Sequence, residues 1–180
     1  MRYFLIFTFL FLQLNALDID KLEDYIIKEQ YAKVCNNNIY NIAMKNQDDG
    51  LLNLYAIACL RSDFINKLAP VIITMRKSKE ARDNAIYYST ILYKKKLLYS
   101  AIVDGVDISA IKLPKCDYVL SDIYDDYVSG NYEKKGDNYY FKKDGKYKYL
   151  VNTKYDLPYV KLIVNVLGDN LNIIEKKEYW

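Results

Sequence analysis

The spacing of the apolar residues changes once along this chain, at Gly130-Asn131, and that change limits what can be built on either side of it. Before it, apolar residues recur every three or four positions, as in Cys116, Val119, Leu120, Ile123 and Tyr127. After it they alternate, as in Val160, Leu162, Val164 and Val166 with Lys161, Ile163 and Asn165 between them. A spacing of 3.6 buries one stripe of a helix, and a spacing of two buries one face of a strand. The fold class implied is α+β: a helical domain over residues 17–130, then a small antiparallel β-hairpin domain over 131–180 packed on the helices.

Turn residues divide the first part into helices. Asp18 or Asp20 caps a first helix through about Val34, which Asn36-Asn37-Asn38 ends. Further helices are expected at 39–46, 51–61 and 64–76, the last kinked or bounded by Pro70. Two more follow at 79–94 and 96–103, then an amphipathic helix over 116–129 that Gly130 ends. In the second part, residues 138–143 and 146–151 flank Asp144-Gly145, a pair that accepts the positive φ angles of a tight hairpin. Residues 159–167 and 171–178 flank Gly168-Asp169-Asn170 as a second hairpin, and Tyr132 to Lys134 form a short edge strand.

A shift of 33 residues aligns Ala58-Cys59-Leu60 with Ile91-Leu92-Tyr93, and Phe64-Ile65 with Leu97-Leu98. Shifted the other way, Tyr25-Ile26 falls under Ala58-Cys59 and Tyr31 under Phe64. A period near 34 belongs to helical hairpins, so residues 20–103 resemble degenerate tetratricopeptide or Sel1-like repeats, although the Trp-x-x-Leu-Gly opening is missing. Alternate helices of such a stack run parallel. That places the ends of the first and third helices side by side, with Cys35 and Cys59 as the expected disulfide and Cys116 left over.

The N-terminus carries Arg2 and then an apolar run over residues 4–12, closed by Gln13, Asn15, Asp18 and Asp20. That is the layout of a cleavable export signal over residues 1–16, cut after Ala16 so that the mature chain begins at Leu17. The run is too short for a spanning helix, which needs about 20 apolar residues. The expected address is the periplasm or another extracytoplasmic space, where disulfides persist. No membrane-integral segment is expected after cleavage.

Composition removes several functions. The sequence holds no His, which excludes Ser-His-Asp and Cys-His nucleophile pairs and His-ligated zinc. A net charge of +3 lacks the basic concentration of a nucleic-acid binder. Neither Asp48-Asp49-Gly50 nor Asp104-Gly105-Val106-Asp107 supplies a calcium loop. The acids Asp117, Asp122, Asp125 and Asp126 share one helix face with no opposing carboxylate, so they read as a solvated surface rather than a glycosidase pair. Lys94-Lys95-Lys96 and Arg76-Lys77-Ser78-Lys79 read as basic helix ends complementing the helix dipole. No catalytic, metal or cofactor residue is assigned.

The 20 Tyr, like the abundant Lys, Asn and Ile, follow AT-rich codons. An interaction surface is nevertheless expected around Tyr139, Phe141, Tyr147 and Tyr149, with Trp180 as a further contact, because Tyr serves well at interface hot spots. In layout and composition the chain resembles small periplasmic accessory proteins assembled around flagellar motors and secretion machines. That resemblance implies a non-enzymatic envelope scaffold docking on envelope proteins through its Tyr-rich sheet. The alternative is a soluble module that binds a peptide, glycan or small ligand in a groove between helices and sheet. A Tyr-lined pocket with convergent polar groups would favour the second reading, and a flat exposed strip the first.

Overall fold

The computed structural model describes residues 19–180, so the expected export signal lies outside the described residues. The helical part comprises α1 (Ile19–Ile27), α2 (Tyr31–Val34), α3 (Asn37–Asn46), α4 (Asp49–Arg61), a 3-10 turn (Ile65–Lys67), α5 (Leu68–Thr74), α6 (Lys79–Val103) and α7 (Val119–Val128). Strands β1 (Tyr132–Lys135), β2 (Asn138–Lys143), β3 (Lys146–Asp156), β4 (Tyr159–Leu167) and β5 (Ile173–Tyr179) follow. They form one antiparallel meander in chain order. The class is α+β.

Caps explain several starts. The side chain of Asn36 accepts from the N–H groups of Asn38 and Ile39, so the Asn run begins α3 as well as ending what precedes it. Asp48 accepts from the N–H of Leu51, and Ser78 from that of Ala81. Pro70 sits in the first turn of α5, where its missing N–H has no intrahelical partner to lose. The boundary therefore falls before Pro70, at Lys67-Leu68.

Two helical expectations are corrected. The first helix breaks after Ile27, because Glu29 turns left-handed at φ 53° and the Gln30 N–H reaches back to the Tyr25 carbonyl. The helices expected at 79–94 and 96–103 are one continuous 25-residue helix, α6. It runs through the middle of the molecule and packs on α4, α5, α7, β3 and β4. The Lys94-Lys95-Lys96 run is thus mid-helix, not a helix end, and Lys94 and Lys95 are buried.

Cys35 and Cys59 form the expected disulfide, and Cys116 is free and buried. The bridge ties the end of α2 to α4 across a sequence separation of 24. In the chain-entropy account a loop of that length stabilises the fold by roughly 3 kcal/mol. No described helix is long and apolar enough to cross a membrane.

The inner sheet face carries Tyr139, Phe141, Tyr149, Val151, Leu162, Val164, Val166 and Tyr179, all in the same buried cluster as Leu52, Leu68, Ile91, Leu98 and Leu120 of the helices. Interior strand β4 also buries Ile163, Asn165 and Leu167 on its outer face. Beyond Val151 on β3 and before Leu162 on β4, the two strands pair only with each other. The β3–β4 hairpin therefore projects past its neighbours.

Candidate functional site

Helices and sheet meet along an edge that leaves a cleft of about 800 Å³. Helix α4 supplies Asn53, Ile57, Leu60 and Arg61 to its wall, and α6 supplies Asn84, Tyr87 and Tyr88. The approach to α7 adds Asp117 and Tyr118, and α7 itself adds Asp122. The sheet closes the other side with Lys143, Lys148 and Tyr149, then Val166, Glu175 and Lys177.

One wall is a polar clamp between the layers. Asp63 ends α4 in the left-handed region, φ 60°, and its carboxylate accepts from the Tyr118 hydroxyl at 2.6 Å, the Tyr179 hydroxyl at 3.2 Å and the Lys177 ammonium at 2.7 Å. Glu175 takes the same ammonium at 2.7 Å. Burial pushes the Lys177 ammonium down, but its bonds to Asp63 and Glu175 outweigh this and hold it above its ordinary range. Burial first, then Asp63, raises the Tyr118 hydroxyl far above the ordinary tyrosine value against the opposing bond to Tyr179, and burial with Tyr118 and Asp63 raises the Tyr179 hydroxyl likewise, so both stay protonated donors.

The acidic face of α7 is a second wall. Lys143 pairs with Asp122 at 2.9 Å, and the Tyr149 hydroxyl donates to the same oxygen at 3.1 Å. Burial opposes ionisation of Asp122, yet these two bonds keep its carboxyl below the usual range. Burial, joined by the charge of Asp122, pushes the Tyr149 hydroxyl up to about 12. Asp125 pairs with the buried Lys94 at 2.7 Å. Burial raises the Asp126 carboxyl, as do the charges of Asp122 and Asp125. The face is therefore partly neutralised by lysines rather than freely solvated. Among the described residues no group of three or more acids and cysteines is placed to hold a metal ion.

The expected aromatic strip does not form. Tyr139, Phe141 and Tyr149 are buried on the inner sheet face, Phe141 completely, where Tyr139 and Phe141 stack around Tyr132 and Tyr127. Tyr147 lies on the opposite face, edge-on to Tyr140 and bonded through its hydroxyl to Glu133. The cause is a bulge: Phe141 pairs with Tyr149, but Lys142 pairs with Tyr147, so Lys148 is the extra residue. It moves Tyr147 off the inner face and brings Lys148 to the cleft beside Tyr149. Trp180 is half-exposed, its ring 5.6 Å from the Lys161 ammonium.

Compared with known protein families, curated proteins and solved structures, the chain matches none. The geometry has to carry the functional argument alone. Sequence reasoning missed Arg61, Tyr87, Asp63 and Lys148, which lie far apart in the chain and carry no shared motif. It missed also the exposed end of the β3–β4 hairpin, Tyr155, Leu157 and Tyr159, with Leu157 91% exposed.

Proposed function

We propose that this protein is a non-enzymatic binding module of the periplasm or another extracytoplasmic space, which holds a short peptide, glycan or small ligand between its helices and its sheet. The observation that carries this is the cleft of about 800 Å³, lined by Tyr87, Tyr118 and Tyr149 with Asn53, Asn84, Arg61 and Lys148 converging on it. Pockets of this size accept drug-sized ligands, and a few placed polar groups orient them. The Cys35–Cys59 bridge supports an oxidising address. In the cleft wall the lysine-paired carboxylate of Asp122 favours binding over acid–base chemistry. In this reading the helical layer is the scaffold, a degenerate hairpin stack of the tetratricopeptide or Sel1 kind.

A second reading, docking on an envelope machine such as a flagellar motor or secretion system, is favoured by the projecting hairpin. Tyr155, Leu157 and Tyr159 at its end are 78%, 91% and 62% exposed, and half-exposed Trp180 lies alongside near Lys161. Exposed apolar side chains grouped in this way mark interaction sites.

Photo-crosslinking residues placed at Asn84 in the cleft and at Leu157 on the hairpin separate the two. Capture of a small molecule or short peptide at position 84, with nothing at 157, is the expected result. Capture of a protein partner at 157 alone replaces the binding reading with the docking one.

A further inference from the structure

We propose that the ligand of the cleft is anionic, presenting a carboxylate or phosphate oxyanion to Arg61 and Lys148; this rests on the binding reading above. The acids in the wall are largely engaged. Asp122 is held by Lys143 and Tyr149, and Glu175 by Lys177. Those cations are engaged too, Lys177 also by Asp63. Among the described residues neither Arg61 nor Lys148, which line the same cleft, makes an ion pair, against one wall carboxylate, exposed Asp117, that makes none either.

The uncharged groups lean the same way. The Asn53 amide oxygen is taken by the Tyr88 hydroxyl at 2.7 Å, which leaves its N–H₂ to donate. The Arg61 guanidinium, the Lys148 ammonium and the Asn53 amide N–H₂ are the donors that the cleft holds open for an oxyanion.

The bulge in β3 adds an independent observation. On a regular strand Lys148 alternates to the outer face, opposite Tyr149. With the extra residue at this point of the ladder, Lys148 lines the cleft and is half-buried. Its acidic neighbour Asp169 is bound instead by Lys146 at 2.9 Å. Lys148 thus feels Asp169 only at longer range, and an incoming anion supplies the directly bonded counter-charge that this half-buried ammonium lacks. Arg61 approaches from the other layer, so the two cations clasp a ligand across the helix–sheet boundary.

The test titrates the full chain, followed by amide NMR shifts, with three probes: an N-acetylated short peptide ending in a free carboxylate, the same peptide as its C-terminal amide, and inorganic phosphate. Saturable shifts at cleft residues with the free acid or with phosphate are expected, the amide binding at least about tenfold more weakly, as loss of a charged hydrogen bond implies. Which of the two anions saturates identifies the source of the oxyanion. Arg61→Gln and Lys148→Gln should each weaken that binding about tenfold. Neither side chain makes an ion pair or hydrogen bond among the described residues, so urea midpoints are expected to stay unchanged and tie the result to binding. Equal affinity for acid and amide, or no effect of either substitution, overturns the anionic assignment while leaving the cleft a binding site. No saturation by either anion up to about 10 mM overturns it as well.

Discussion

Lys94 and Lys95 are neighbours in α6 and both are buried, yet each is satisfied differently. The Lys94 ammonium donates to Ser121 and to Asp125, both at 2.7 Å, and stands 5.0 Å from the centre of the Tyr124 ring. Ser121 in turn accepts from the Cys116 N–H at 2.9 Å, so this one lysine organises the loop that enters α7. Lys95 donates to the Asn66 side chain and the Trp180 carbonyl, which ties the end of β5 to the helices. Burial, with Lys96 beside it, pushes the Lys95 ammonium down to about 8. Removing one partner of a buried pair leaves unpaired groups behind. Lys94→Ala is therefore expected to lose about 3–5 kcal/mol in urea unfolding, and Lys94→Met distinctly less, because it restores the apolar stem and Asp125 can turn to water. Equal losses would show that the ammonium and its bonds, lost in both variants, and not the packing of the stem, carry the stability there.

At the level of elements, the helix stops are the least visible feature. Four helices end in the same motif, in which a left-handed residue lets the next N–H reach a carbonyl five residues back: Gln30 to Tyr25, Asp48 to Ala43, Phe64 to Cys59 and Asn131 to Asp126. Gly130 occupies the left-handed position once, and its stop was legible in the sequence. Glu29, Gln47 and Asp63 occupy it in the other three, where a side chain is strained. Glu29→Gly and Gln47→Gly should each stabilise by up to about 1 kcal/mol. Asp63→Gly should destabilise despite the same relief, by about 1–3 kcal/mol, because it frees Tyr118, Tyr179 and Lys177 from their shared acceptor. Urea midpoints of the three variants check this, and a stabilised Asp63→Gly would remove the clamp from the account. The Asp144-Gly145 hairpin was equally legible, since both residues take positive φ. The bulge at Lys148 was not, because it depends on how β3 lies against β2.

For the molecule as a whole, tyrosine is the main structural residue. Tyr88, Tyr118 and Tyr179 have hydroxyls raised mainly by burial, far above the ordinary tyrosine value of 10.0, and Tyr149 is raised to about 12. The sign follows from proton counts. Above pH 10 the unfolded chain releases these protons while the folded chain keeps them, so the stability they carry is complete below 10 and falls as pH rises. Lys95 acts oppositely between about 8 and 10.5, where the folded state has lost a proton that the unfolded state retains. Tyrosinate absorbance should accordingly show a gradual rise at lower pH and then a buried group appearing only with cooperative unfolding above about pH 12. A single smooth titration with no unfolding step would contradict the buried assignments.

What the sequence by itself determined is local or periodic. The switch at Gly130-Asn131, the Asp-Gly turn, the pairing of Cys35 with Cys59 and the α+β class follow from spacings that any neighbouring segment obeys. Which face of the sheet points inward, and what lies opposite it, was decided only by tertiary packing. A bulge of one residue exchanges the places of Tyr147 and Lys148, and α6 absorbs two lysines because α7 and β5 bring oxygens to meet them. The expected Tyr strip became core for that reason. The cleft arose from side chains that share no sequence neighbourhood, gathered where a helical layer and a twisted sheet cannot close flush.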